Sequence, residues 1–438
     1  MSTARSITDT RQGLMARLTD ARRQSDALFG VLSPEGLLER PIPERHRLIF
    51  YLGHLEAFDW NLLSRALEIP AFQPSLDQLF AFGIDPTDGG LPNEPASAWP
   101  PEAAVREYSR RAREAIDQGL ESVDRSDPRL QNDVLIHVAI EHRLMHLETL
   151  AYLLHRMPYA LKRAPKAADL TPPAGAMQAG RVRIPAGRAT LGLPRNGGFG
   201  WDNEFEEHTV EVPGFGIDVT PITNGEYLEF MRAGGYENRE LWSDAAWEWK
   251  AREGVSHPGF WVPRDGGFAY RGMFGEQLLA LDWPVYVSHA EASAYARWAG
   301  RTLPTEAQFH RAACGTPAGE ERRYPWGNEP PEPHHGNFDS QRWDPAPVGS
   351  YPAGRSAFGV ADLLGNGWEW TASRFGPFPG FVPFPFYRGY SADFFDGKHF
   401  VMKGGSARTA ACMVRRSFRN WFQPHYPYVY AGFRLVTM

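Results

Sequence analysis

The chain has 438 residues, of which 42% are apolar and 22% charged, a usage that excludes wholesale disorder, collagen-like repeats and a continuous coiled coil. That length suffices for two or three domains, each with its own core. A net charge of -6, from 46 Lys plus Arg against 52 Asp plus Glu, leaves no basic footprint for nucleic acid or an anionic membrane.

Met1 to Gln12 is polar and lacks the basic-then-apolar layout of a signal peptide, and nowhere do 18 apolar residues run together, so a cytoplasmic protein with no membrane partner is expected. From Ser6 to Leu161, apolar residues recur at helical spacing: Leu14, Leu18, Ala21 and Leu28, then Leu48, Tyr51, Leu52 and Leu55, then Leu135, Val138, Leu144, Leu147, Leu150 and Leu154. This predicts a bundle of long helices over residues 1–163. Ile69 to Pro101, rich in Pro, Gly and Asp, interrupts it as a long connection of the kind that often carries function. Residues 164–180, including "APKAADLTPPAGAMQAG", read as a linker.

Over 181–438 helical periodicity fades, Gly, Pro and aromatics become dense, and 12 of the 14 tryptophans occur. Such a segment suits short strands and long ordered loops pinned by aromatic packing, with helices readable at Asn224 to Ala233 and Ser288 to Ala299. Cys314 and Cys412 are the sole cysteines, too few for a disulfide framework and consistent with a reducing compartment.

The pattern richest in chemistry is His137-Val-Ala-Ile-Glu141-His142-Arg143-Leu-Met145-His146. His142 and His146 are four apart, so a helix stacks them on one face, the spacing that offers two imidazoles to one metal. Alone, this spacing fits two solvated or capped histidines equally well. The zinc-protease pattern needs Glu directly after the first His, where Arg143 stands, and is disfavoured. A third ligand from another helix is His54 in "YLGHLE", beside Gly53, which permits a close approach. Three neutral imidazoles leave half an octahedron open, as suits iron that must take substrates and dioxygen together. His137 lies off the shared face and ranks as a supporting residue.

"LGHLEAFDW" around His54 and "EHRLMHLET" around His142 and His146 resemble the three-histidine iron site of the DinB-like domain in the ergothioneine-type sulfoxide synthases. From Trp201 to Val436 a second string of motifs resembles the formylglycine-generating-enzyme (sulfatase-modifying-factor) fold: "WDNEFEEHTVEV", "TPITNGEYLEFM", "WPVYVSHAEASAYARWAGRTLPTEAQFHRAA", "YPWGNE", "PVGSYP", "FGVADLLGNGWEWT", "KGGSA" and "AGFRLV". The resemblance implies an α + (α+β) chain, a DinB-like four-helix bundle followed by a formylglycine-generating-enzyme or C-type-lectin-like domain with little regular secondary structure. Trp326, Trp368 and Trp370 are expected to serve packing, and Asn366 and Glu369 loop hydrogen bonding. Formylglycine-generating enzymes use a pair of nearby cysteines late in this domain, and Cys412 stands alone there, so that activity is disfavoured.

The synthases join hercynine to a thiol amino acid with dioxygen, and the resemblance implies Fe(2+) on His54, His142 and His146, with Asn420 and Trp421 meeting hercynine's carboxylate and trimethylammonium. A proton-donating tyrosine falls at Tyr387 or Tyr390, with aromatic packing an equal reading of either; Met145 stands where a polar contact to hercynine is usual. Two features that hold the thiol donor are changed. Ala66 to Val105 contains no Lys or Arg, and Phe422 follows Asn420-Trp421 where the thiol-using relatives carry Asp. Burying an amino-acid thiol's charges without partners is costly, so a 1-selenosugar or thiosugar fits better and points to the selenoneine synthase branch. Cysteine or γ-glutamylcysteine is the other donor reading, with Arg388, Arg408, Arg415 or Arg416 as the recognising groups. A non-catalytic metal- or ligand-binding module and a zinc-dependent thiol transferase are the readings from other classes. The expected assembly is a monomer or small homo-oligomer.

Overall fold

A computed structural model describes residues 11–81, 94–123, 127–165 and 180–438, and the chain divides into two compact units, Met1–Lys166 and Ala167–Met438. Most of the expected linker lies outside the described residues. The helical unit is built from α1 (Arg11–Phe29), α2 (Leu48–Ala66), α3 (Pro74–Leu79), α4 (Glu102–Ser122) and α5 (Val134–Arg156). α1 packs on α5, and α2 packs on both α4 and α5. α5 is buried nearly all round, which makes it the axis of the bundle, whereas α4 keeps a narrow apolar stripe of Val105, Tyr108, Ala112, Ile116 and Leu120. The expected long connection contains a short helix, α3, whose start Pro74 favours by presetting its backbone angle.

Among the described residues the second unit has twelve short strands: β1 (Arg181–Ile184), β2 (Gly187–Leu191), β3 (His208–Val212), β4 (Phe215–Asp218), β5 (Trp261–Arg264), β6 (Gly267–Arg271), β7 (Glu276–Leu278), β8 (Gly367–Arg374), β9 (Phe400–Gly405), β10 (Asn420–Phe422), β11 (Ala431–Gly432) and β12 (Val436–Thr437). They form sheets ordered β1-β4-β12, β10-β9-β8-β11, β2-β3 and β5-β6-β7. β11 runs parallel to β8, and the other pairings are antiparallel.

Among the described residues, four α-helices accompany them: α6 (Asn224–Arg232), α7 (Asp244–Glu253), α8 (His289–Trp298) and α9 (Glu306–Cys314). Sequence reading anticipates α6 and α8 and misses α7 and α9. Thr223 with Glu226, Ser288 with Glu291, and Thr305 with Gln308 form reciprocal caps at the starts of α6, α8 and α9, so two of the quoted motifs contain three helix-start signals. The core gathers Ile184, Phe215, Ile217, Phe309, Leu363 and Val436. A buried pair, Arg434 on Glu369 at 2.6 Å, ties β8 to the chain after β11, while Arg434 also donates to the Asp218 and Ala361 carbonyls. Asn366 bonds both backbone groups of Ala346, Trp370 is fully buried, and Trp326 stacks between Tyr324 and His335. These residues organise loops and core.

Candidate functional site

α2 carries Phe50, His54 and Phe58 at four-residue intervals on one face, and α5 carries His142 and His146 in the same way. Packing α2 against α5 brings one ring nitrogen of each histidine within 4.8 Å of the others. The Nε2 atoms of His142 and His146 are 3.1 Å apart. Two nitrogens bound to one metal at about 2.1 Å each and at a right angle lie about 3.0 Å apart, so the donor pair fits one ion. His137 is half-exposed and outside this group.

All three imidazoles are buried. Burial pushes His54 down to about 4 and holds His142 and His146 well below the usual histidine range, so at neutral pH all are uncharged, the form a metal requires. Phe58 lies flat on His142, with centroids 3.4 Å apart at 9°, and Phe50 stacks on His54 at 4.9 Å. The Nδ1 of His54 donates to the Phe80 carbonyl at 2.6 Å. A carbonyl only accepts, so Nδ1 holds the proton and Nε2 the free lone pair.

Behind the histidines lies a charge network that sequence reading missed. Arg143 is fully buried and donates to both Glu56 oxygens at 2.9 Å, to Asp59 at 2.7 Å and to the Leu55 carbonyl at 3.0 Å. Arg113 on α4 adds ion pairs to Glu56 and to Asp26 of α1, each at 2.7 Å. Burial pushes the Glu56 carboxyl up, but the two guanidiniums outweigh it and bring the group to about 2, whereas burial prevails at Asp59 and raises it. Four helices are thus tied one residue from His142 and two from His54. Glu56 and Asp59 on a strongly apolar helix were the available signal.

In the second unit, β10 presents Asn420, Trp421 and Phe422 half-buried, paired to Met402, Val401 and Phe400 of β9. Trp421 stacks on Phe375 at 4.1 Å and 7°, with Tyr390 at 5.5 Å and Phe394 at 5.7 Å. Under this cluster Arg419 sits 4.9 Å from the Phe375 centroid and is ion-paired to Glu306 at 3.0 Å. The Asn420 side-chain oxygen accepts from the Trp421 amide at 2.8 Å. Phe422 stacks on Tyr426 at 5.0 Å.

Of the two candidate tyrosines, Tyr390 packs beside Trp421 and stacks on Trp201 at 4.0 Å, while Tyr387 lies 5.4 Å from Tyr390. Their loop is anchored by Asp202, which accepts from Ser391 and from the Phe384 amide. Among the arginines, Arg415 pairs with Glu204 at 2.5 Å, Arg416 lies 3.4 Å from Glu321, and Arg408 lies over Trp343 at 4.1 Å. Arg388 is exposed and has no ion pair among the described residues. Cys314 and Cys412 are not joined in a disulfide, and burial pushes the Cys314 thiol up to about 12, which keeps it protonated.

Residues 166–438 match the family described as "Sulfatase-modifying factor enzyme 1-like domain", and residues 17–150 match the DinB superfamily. A hercynine oxygenase of Mycobacterium tuberculosis is 46% identical over 238 residues, 54% of this chain and 55% of that protein. Ergothioneine biosynthesis protein 1 of Neurospora crassa is 28% identical over 503 residues, 93% of this chain and 55% of that protein. A formylglycine-generating enzyme of Streptomyces coelicolor is 33% identical over 224 residues, 45% of this chain and 70% of that protein. The chain spans about half the length of the first two. Among the described residues, no helix is long and apolar enough to cross a membrane.

Proposed function

The chain belongs to the sulfatase-modifying factor enzyme 1-like family and adds to it a DinB-superfamily bundle, and from that premise we propose an iron(II)- and dioxygen-dependent enzyme that joins hercynine to a 1-selenosugar, a step toward selenoneine. The observation that carries the iron reading is the buried, uncharged trio of His54, His142 and His146, with two Nε2 atoms at 3.1 Å. Bound there, iron would supply open coordination positions and the redox capacity to use dioxygen. In balance, the imidazole C–H and the Se–H give way to a C–Se bond, selenium takes one oxygen atom and the other leaves as water. Four electrons thereby reduce one dioxygen.

The remaining roles fall to side chains of the second unit. The Trp421 face attracts the trimethylammonium of hercynine, and the half-buried Asn420 amide is the donor offered to its carboxylate. Tyr390, packed beside Trp421, is favoured over Tyr387 as the proton donor. The neutral-donor reading rests on Phe422 and on charge: Arg415 and Arg416 are engaged by Glu204 and Glu321, leaving exposed Arg388 as the one of the four candidates without an ion pair or ring partner among the described residues. A second reading, synthesis of a hercynine sulfoxide from cysteine or γ-glutamylcysteine, is favoured by the relative named hercynine oxygenase.

The experiment pairs iron stoichiometry with oxygen uptake in the anaerobically loaded protein and in His146→Ala. One iron per chain, with uptake requiring both hercynine and a chalcogen donor and lost in His146→Ala, is expected. Wild-type uptake retained by the variant, or turnover with zinc and no oxygen, would refute the reading.

A further inference from the structure

The stretch from Ala66 to Val105, between α2 and the first turn of α4, contains no Lys or Arg, yet its described part is firmly seated. The Asp77 carboxylate of α3 accepts from the Tyr108 hydroxyl of α4 at 2.7 Å, and Asn61 of α2 donates to the Asp77 carbonyl at 3.1 Å. The Phe80 amide closes α3 by donating to the Leu76 carbonyl at 3.0 Å, and the Phe80 side chain is fully buried. Its ring lies directly over Gly53: a Cβ placed there would stand 2.5 Å from three ring atoms, far inside contact distance. Gly53 precedes His54, and the carbonyl accepting from His54 belongs to this same Phe80. Tyr108, Asp77, Phe80 and His54 therefore form one chain of contacts from α4 to the metal centre.

Resting on the metal-centre reading above, we infer that Phe80 is a positioning residue for the iron: its ring, seated on the bare backbone of Gly53, places its carbonyl where it fixes His54 with Nδ1 protonated and Nε2 aimed at the metal. Glycine stands at position 53 because any side chain would lift that ring. A partner on the outer nitrogen holds a ligating imidazole in orientation and raises its basicity, and losing such a partner weakens metal affinity about 10- to 100-fold. Seating of α3 and order at the iron are then one event, so a change that lifts α3 loosens His54 without touching any ligand.

The test uses the full chain with Gly53→Ala, Phe80→Ala, the double variant, the conservative Phe80→Leu, and Leu120→Ala as a control that removes a buried side chain of α4 outside this chain of contacts. Iron(II) affinity is measured anaerobically by chelator competition, alongside the thermal midpoint of each metal-free protein. Proton NMR of the cobalt(II) form in water follows the exchangeable imidazole N–H signals. Expected are a 10- to 100-fold weaker affinity in Gly53→Ala and Phe80→Ala, no further loss in the double variant, and recovery in Phe80→Leu. The most slowly exchanging N–H signal should speed up in Gly53→Ala while the other two persist. Leu120→Ala should lower the midpoint and keep the affinity. Wild-type affinity with unchanged N–H exchange in both single variants overturns the inference, as does an affinity loss that tracks the midpoint in Leu120→Ala as well. A wild-type protein that binds no iron overturns the metal-centre reading first, and this inference with it.

Discussion

Arg143 grips both carboxylate oxygens of Glu56 at 2.9 Å with no exposure to water, joining the helix of His142 to the helix of His54. Desolvating such a pair makes its net contribution modest, but removing one partner leaves buried charge uncompensated. Arg143→Met leaves Asp59 without its ion pair and Glu56 with Arg113 alone, and should destabilise the helical unit by about 3 to 5 kcal/mol. Denaturant titration followed by far-UV circular dichroism reads this in the transition of that unit. A loss below about 1 kcal/mol, the worth of an exposed pair, would show the network to be dispensable.

Trp421 stacks on Phe375, which shares Arg419 as a neighbour, so its ring is held rigidly on β10. Cation-π attraction to a trimethylammonium is worth roughly 0.5 to 2 kcal/mol, so Trp421→Ala should weaken hercynine binding roughly 2- to 30-fold and Trp421→Phe much less. Calorimetric titration with hercynine and with histidine separates the two. Equal losses for both ligands would remove the trimethylammonium from Trp421.

Phe422 packs on Tyr426 in an otherwise apolar pairing with Phe400 across the strands. Phe422→Asp should move donor preference toward amino-acid thiols, by at least about tenfold if one charge-assisted hydrogen bond is gained. The ratio of product from paired donors in one reaction measures it, and an unchanged ratio would sever Phe422 from donor choice.

Asp362 is buried and accepts from the Gly349 amide at 2.5 Å, and burial raises its carboxyl to about 6. The unfolded chain ionises near 3.8 while the fold retains the proton. Stability from this group is therefore full below pH 4 and is lost as pH rises through 6, by at most roughly 3 kcal/mol. Asp362→Asn keeps the acceptor and tolerates the left-handed backbone at φ 52°. Its thermal midpoint should match wild type near pH 4 and exceed it above pH 6. Parallel midpoint curves across that range would show that Asp362 does not titrate so.

Much of this molecule was legible in the amino-acid order because its signals are local. The four-residue spacing of His142 and His146, the apolar periodicity of α5, and the Thr223/Glu226 and Ser288/Glu291 spacings each encode a feature within one or two turns. What escaped depends on side chains far apart in sequence. Nothing near Gly53 announces the Phe80 ring, and nothing near Arg143 announces Glu56, 87 residues away. α7 escaped because its buried Ala246 and Trp249 give too little periodicity. For Asn420, Trp421 and the tyrosines, the resemblance pointed to positions, and packing within the second unit then favoured Tyr390 over Tyr387.

The most direct test of the central claim is product mass spectrometry of the iron(II)-loaded protein given hercynine, dioxygen and an equal mixture of 1-selenoglucose, γ-glutamylcysteine and cysteine. The account predicts an oxygen-dependent hercynine–selenosugar adduct as the main product. A hercynine–cysteine-type sulfoxide alone would contradict the donor assignment, and no oxygen-dependent adduct would contradict the enzyme assignment itself.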